Sequence, residues 1–229
     1  MVEGCAGCKV RGHSAFCNLT EGPLAELERL SFAVSYPEQA TLFVEDQPCR
    51  GVFLLCAGKV KVSARSHDGK QLMLRAAEAG EILGLSATIA GTSYEVTATT
   101  MSASLVRFVK REEFLQFVQS STETGLNVVQ ALSQEYHRAF ESLRSIGLLH
   151  TASSRIAQLL LRMAANPEND PSGGNIRLLL TQQQIAQMTC TTRETVTRFL
   201  AQLKRERVIS LRGSNLSIVD RPALEKLAS

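Results

Sequence analysis

The sequence predicts an α+β protein in three parts: a small barrel or jelly roll of short strands, a long helix, and a helix-turn-helix followed by a hairpin. Three observations lead there. Between Thr41 and Phe108, short apolar runs alternate with glycine turns. From Val129 to Ile146, apolar residues recur at alternating spacings of three and four. From Leu180 the chain reads Leu-Thr-Gln-Gln-Gln-Ile-Ala-Gln-Met-Thr-Cys-Thr-Thr-Arg-Glu-Thr-Val-Thr-Arg-Phe-Leu, two helical patterns joined by a polar turn.

Taken in order, residues 1–20 hold three cysteines and little apolar periodicity, and read as a short arm. Leu24, Leu27 and Leu30 give Pro23–Phe32 helical spacing. Leu42–Glu45, Val52–Cys56, Val60–Arg65, Gln71–Arg75, Tyr94–Thr99 and Ala103–Phe108 read as strands, bounded by Gly51, Gly58, Asp68-Gly69, Gly80, Gly84 and Gly91. After Lys110 the texture turns helical. Val129, Leu132, Tyr136, Ala139, Leu143 and Ile146 continue over roughly three heptads. Such a helix either lies on its own barrel or, as its length favours, forms a two-stranded coiled coil holding a homodimer. Gly147–Thr151 reads as a hinge and Ser153–Ala165 as a helix carrying Ile156, Leu159, Leu160 and Met163. Asn166–Asn175 is a loop, and Ile176–Leu180 a strand. The domains are an arm at 1–20, a β domain at 21–110, a dimerisation helix and hinge at 111–150, and the helix-turn-helix domain at 151–229.

At 229 residues and 44% apolar content the chain is long enough to bury a real core in two main domains. No apolar run approaches about 18 residues and no signal-peptide pattern is visible, so no membrane span and a cytoplasmic protein are expected. Six cysteines are too few for a disulfide scaffold at this length and read as thiols or metal ligands. Net charge is only +3 but unevenly placed: residues 1–150 carry 14 basic and 16 acidic groups, residues 151–229 carry 11 and 6. A basic surplus at the helix-turn-helix end suits a phosphate-binding face. With four histidines, no Ser/His/Asp set and no phosphate loop, an enzyme is not expected. A Cys-x-x-Cys oxidoreductase is the rival, but the motif lies in an arm, not at a helix start in a βαβ unit. A second rival is a redox-sensing adaptor whose helix-turn-helix binds protein.

The second helix of the motif starts after Thr191 or Thr192. Rotating it by about 100° per residue puts Val196, Phe199, Leu200 and Leu203 on one face. Glu194, Thr197, Arg198, Ala201 and Arg205 fall opposite. An apolar back with a small residue and a Glu/Arg pair in front suits a helix that enters a DNA major groove. A structural use is open too: with Thr191 as N-cap, Glu194 completes a capping box and Arg198 merely pairs with it.

Three stretches carry a resemblance over about Leu19–Leu227. They are Gly58-Lys59-Val60-Lys61-Val62 with Asp68-Gly69-Lys70-Gln71 and Gly80-Glu81-Ile82-Leu83-Gly84; Arg155-Ile156-Ala157-Gln158-Leu159-Leu160; and Thr192-Arg193-Glu194-Thr195-Val196-Thr197-Arg198. On these the chain resembles the Crp/Fnr superfamily of bacterial transcription regulators. The resemblance implies an N-terminal cyclic-nucleotide-binding-like β-roll (a double-stranded β-helix of jelly-roll type), a long dimerisation helix and a C-terminal winged helix-turn-helix. It implies that Glu194 and Arg198 read the G·C pair of a TGA core and that Arg193 reads an upstream guanine. Thr197 reaches a thymine methyl, and Thr192 belongs to the same set. A homodimer then binds double-stranded DNA at palindromic TGTGA-like or TTGA-like half-sites about one helical turn apart. Thr181 and Gln184 form a capping box, with Gln182 facing phosphate. Lys204, Arg205, Arg207 and the wing tip Arg212-Gly213-Ser214-Asn215 contact the backbone. Thr189 stands where the family commonly has a turn glycine, a place of slight strain. RNA polymerase is an implied partner, with Asn166–Asn175 at one activating surface.

For the signal, cyclic-AMP binders of the family clasp the phosphate with an arginine beside Ser or Thr. Gly91–Ala98 contains no arginine and has Glu95, so cyclic AMP is not expected. The arm offers Cys5, Cys8 and Cys17. The oxygen-sensing branch holds a [4Fe–4S] cluster on three N-terminal cysteines and one in the roll. Here the gap from Cys8 to Cys17 is longer and no cysteine lies near Val106. Cys49 or Cys56 is a substitute, His13 is a further ligand for a zinc site, and a dithiol switch or no metal at all are the other readings. Cys56 also reads as buried core and Cys190 as incidental.

Overall fold

The computed structural model describes residues 5, 8, 16–65, 71–148, 151–165, 175–177, 180–212 and 215–228, with the main chain alone at 141–148, 175–177 and 212. The chain divides into two compact units, Met1–Arg138 and Ala139–Ser229. The first contains α1 (Glu21–Leu30), β1 (Phe32–Tyr36), β2 (Thr41–Phe43), β3 (Gly51–Ala57), β4 (Lys59–Arg65), β5 (Gln71–Glu78), β6 (Ile82–Leu83), α2 (Leu85–Ala90), β7 (Thr97–Thr100), β8 (Ser104–Lys110), α3 (Arg111–Gln119) and the first part of α4 (Thr122–Leu148). Its strands form two antiparallel sheets ordered β1-β8-β3-β6 and β2-β7-β4-β5, the expected roll.

β3 explains how the roll is held. Its run Val52-Phe53-Leu54-Leu55 is continuously apolar because both faces are covered. Phe53 and Leu55 turn into the space between the sheets with Phe43, Val60, Tyr94 and Val106. Val52 and Leu54 turn outward under helices, where Phe16, Leu19, Leu24, Leu27, Phe114, Phe117 and Val128 form a second cluster. Phe16 and Leu19, each 2% exposed, therefore pin the end of the arm to the roll. Opposite β8 the ladder slips between Leu55 and Ala57, so Cys56 is the extra residue of a β-bulge. Gly58 then turns the chain into β4 with φ +94°, and a Cβ there would fall 2.2 Å from Ser104 Oγ.

Some elements differ from the expectation. Phe32 begins β1 rather than ending a helix; this strand pairs only with β8 and has four of five residues exposed, so no alternation marks it. Between α3 and α4 the chain turns at Ser120-Ser121, where Ser121 Oγ accepts from Thr124 N–H at 3.2 Å and the Thr124 hydroxyl returns to Val118 O at 3.0 Å. Along α4 the exposed apolar row is Leu126 (58%), Val129 (62%), Tyr136 (73%) and Phe140 (49%). Leu132, expected in that row, is half-buried against the helical cluster of the roll, and Ala139 is exposed. The side chains of Leu143 and Ile146, residues 149–150 of the hinge, His13, the 68–70 turn, residues 166–174 of the loop and 213–214 of the wing tip lie outside the described residues.

The second unit holds the last part of α4, α5 (Ala152–Ala165), β9 (Asn175–Arg177), α6 (Gln182–Met188), α7 (Arg193–Arg205), β10 (Ile209–Arg212), β11 (Asn215–Ile218) and α8 (Arg221–Leu227). Ile156 and Leu160, Ile185, Val196, Phe199, Leu200 and Leu203, Leu216 and Leu224 close one core. Truncating such a side chain to alanine costs about 2–5 kcal/mol. The strands order β10-β11-β9, with Arg212 opposite Asn215 at the head of the hairpin.

Candidate nucleic-acid interface and cysteine pocket

α6 starts on a full capping box: Thr181 Oγ1 accepts from Gln184 N–H at 3.2 Å, and Gln184 Oε1 accepts from Thr181 N–H at 2.8 Å. The turn that follows is made by Cys190, at φ +48°, not by Thr189, whose φ is −107°. The strain expected at Thr189 therefore sits one residue later. Arg155 on α5 donates from Nε to Thr189 O at 2.8 Å and from its terminal nitrogen to Cys190 O at 3.3 Å, clamping that turn. Sequence reasoning gave Arg155 no role, because its partners are main-chain carbonyls far along the chain.

α7 starts with Thr192 as N-cap, accepting from Thr195 N–H at 3.3 Å. Glu194 is consequently at N2 and the third helical residue is Thr195, so the capping-box alternative for Glu194 does not apply. Its carboxyl is held below the ordinary range by its own N–H, the Thr192 hydroxyl and the charges of Arg193 and Arg198. An ionised carboxylate is the form that accepts from a base amine. Val196, Phe199, Leu200 and Leu203 are buried as expected; Thr192, Arg193, Glu194, Thr197, Arg198, Ala201, Lys204 and Arg205 are exposed. Acid in the first turn and base in the last both complement the helix dipole. The one proton of the Thr197 hydroxyl is shared between Gln182 Oε1 at 2.5 Å and Arg193 O at 2.9 Å, joining the two helix heads. Gln182, expected on phosphate, is thus engaged by Thr197. The side chain of Arg212 lies outside the described residues.

In the first unit, Cys5, Cys8, Cys17 and Cys56 line one small cavity with Phe16, Leu24, Leu27, Ser31, Leu54, Leu55 and Arg107. Cys8 N–H donates to Cys5 O at 3.4 Å, a tight turn that brings the paired cysteines together. Glu28 connects arm and roll: Oε2 accepts from Cys5 N–H at 3.1 Å and Oε1 from Arg107 at 3.2 Å, while Arg107 also donates to Ser31 Oγ at 3.0 Å. Burial pushes the Cys5 thiol up and the Cys56 thiol to about 11, with Arg107 opposing both. The six cysteines form no disulfide, and among the described residues no three His, Cys, Asp or Glu side chains are grouped to hold a single ion. Cys49 lies elsewhere, its sulfur 3.2 Å from Thr88 Oγ1. Four soft donors, apolar walls and one guanidinium fit an iron–sulfur cluster. Sequence spacing named the three arm donors and left Cys49 and Cys56 as alternatives for a fourth; the cavity includes Cys56 and not Cys49.

A second hollow of the same unit lies under α4, lined by Arg75, Gly80, Glu81, Ile82, Gln134, Glu135 and Arg138 among others. Glu81 pairs with both Arg75, at 2.6 Å, and Arg138. Burial raises the Glu135 carboxyl, opposed first by Arg75. Glu95 accepts from the Ser86 hydroxyl at 3.0 Å.

Comparison with known proteins gives a consistent picture. Residues 33–121 match the cyclic nucleotide-binding domain family and residues 154–227 the Crp-like helix-turn-helix domain family. The CRP-like cAMP-activated global transcriptional regulator of Mycobacterium tuberculosis is 25% identical over 215 residues, 93% of this chain and 95% of that protein. FixK2 from Bradyrhizobium japonicum shares the fold with a TM-score of 0.75 at 23% identity, over 87% of this chain and 98% of its own. A CRP-family transcriptional regulator from Thermus thermophilus aligns with a TM-score of 0.69 at 25% identity, over 85% and 96%.

Proposed function

Because the chain belongs to the Crp/Fnr superfamily of transcription regulators and carries that family's DNA-binding helix-turn-helix domain, we propose that it binds, as a homodimer, palindromes of TGTGA-like or TTGA-like half-sites about 34 Å apart. It is a regulator and not an enzyme. What carries the reading is one helix, α7, whose back is wholly buried and whose exposed front aligns Arg193, Glu194, Thr197 and Arg198. Glu194 accepts from cytosine N4, and Arg198 and Arg193 fork onto guanine O6 and N7. Thr192 and Thr197 complete the row. Lys204, Arg205, Arg212 and the head of α6 at Gln182 set register on phosphates. The exposed row on α4 supplies the dimer seam, and RNA polymerase is the partner at promoters in the cytoplasm.

The signal is redox, oxygen or a small molecule rather than cyclic AMP. Cys5, Cys8 and Cys17 hold a [4Fe–4S] cluster in this reading, supported by the single cavity that their thiols line. When bound, the cluster supplies a centre whose state oxygen can change. The chain's own part is to present thiolates, exclude water with Leu24, Leu27 and Leu54, and offer hydrogen-bond donors from Arg107.

Arg198→Ala tests the DNA assignment. Fluorescence anisotropy against a palindrome and a random duplex should record a loss of about 1–3 kcal/mol in discrimination. Undiminished preference for the palindrome refutes the role of Arg198.

A further inference from the structure

We infer that Cys56 completes the arm's three cysteines into a four-thiolate site for an iron–sulfur cube, with the Arg107 guanidinium as a neighbouring hydrogen-bond donor. The inference rests on the reading of Cys5, Cys8 and Cys17 as cluster ligands and adds the residue that this reading leaves open.

Four observations carry it. Cys56 lines the same cavity as the three arm cysteines, whereas Cys49 lies outside it beside Thr88 and Cys190 lies in the turn before α7 of the other unit. Cys56 is the extra residue of the bulge between β3 and β8, and bulges commonly re-aim one side chain. Leu54, two residues before Cys56 on the same strand, stands opposite Arg107, and the Arg107 and Cys56 side chains line the one cavity. Finally, Glu28 holds the Cys5 main chain and Arg107 together, so arm and roll are already docked.

The thiols surround a cavity instead of meeting at a point. One tetrahedral zinc at about 2.3 Å would draw its sulfurs to within about 3.8 Å of one another. No three candidate ligands among the described residues are so grouped. A cube with an iron at each open corner takes its ligands from four sides, which matches donors from separate segments. Arg107, buried and paired with Glu28, lines the same cavity as Cys56, so the ion pair brings guanidinium N–H donors rather than net charge to the sulfurs in an apolar setting.

The test uses the full chain, incubated under nitrogen with ferric iron, sulfide and a dithiol that supplies the two electrons needed for the mixed-valence core. Wild type should take up about four irons and four sulfides per chain and gain the broad visible absorption of such clusters. Cys56→Ser should hold at most three irons and bleach at least about tenfold faster in air, while Cys49→Ser matches wild type. In unsubstituted protein, cluster loading should shield Cys56 from alkylation together with Cys5, Cys8 and Cys17; mass spectrometry reads this even if the variant fails to fold. A Cys56→Ser protein with four irons and unchanged bleaching, or Cys56 alkylated freely in loaded wild type, overturns the inference and leaves the three-cysteine reading intact. Wild type that takes up no iron, or that binds only zinc when offered both metals, overturns both.

Discussion

Glu28 spends one carboxylate oxygen on Arg107 and the other on the main chain of Cys5, so a single side chain fixes the arm against the roll. Glu28→Gln keeps the size but can accept only one of these two bonds, because its amide nitrogen is a donor, so it loosens the docking of the arm. Iron–sulfur loading should then weaken by roughly tenfold to a hundredfold, as for second-layer partners of metal ligands generally. Competition with a chelator measures it, and unchanged retention would remove Glu28 from the site. A similar division occurs at Glu123, which accepts from Thr20 N–H at 2.8 Å and from the Thr20 hydroxyl at 2.6 Å. These bonds hold its carboxyl below the usual 4.5. A depressed folded-state value means that the stabilisation is present above the unfolded value and lost as pH falls through the folded one. The gap in unfolding midpoint between wild type and Glu123→Gln should be steady from about pH 7 to about pH 5 and close below that. A gap that is independent of pH contradicts the assignment.

Helices and strands with a strong period were legible in the chain, and those without one were not. α7 followed its buried back residue for residue because a 3.6-residue period over thirteen residues admits one face. β1 escaped because an edge strand exposed on both sides has no alternation, and β6 because two residues carry no pattern. The same limit explains which candidate residues could be read. Glu194 and Arg198 are readable because their geometry is local to one helix. Arg155, Glu28 and Arg107 bond to partners distant in sequence, which spacing does not encode, and for the same reason the sequence left Cys49 and Cys56 as equal alternatives. In α4 the period was right but the face was rotated: Leu132 turns to the roll, while Leu126, Val129, Tyr136 and Phe140 line the outside at heptad-like intervals. Val129→Glu places a charge in that row and should convert dimer to monomer in light scattering, with circular dichroism unchanged. A dimer that survives it moves the seam elsewhere.

At the scale of the whole molecule, the proposed dimer brings two copies of α7 to DNA together, and the spacing of half-sites then tests that dimer. A two-fold pair reading successive major grooves spans about 34 Å, one helical turn. Inserting five base pairs at the centre of the palindrome rotates one half-site by about half a turn, to the far side of the duplex. Binding should fall to the level of a single half-site, whereas a monomeric reader would bind both spacings alike. The proposed seam and the proposed reading face should make separable contributions. Val129→Glu should lose the distinction between the two spacings yet keep its preference for a TGA-containing half-site over random duplex, because Glu194 and Arg198 are untouched. Arg198→Ala should remain a dimer in solution but lose the preference at every spacing. Both variants titrated against both operators at fixed salt give four binding curves. If Val129→Glu still distinguishes the spacings, α4 is not the element that sets the distance between reading heads.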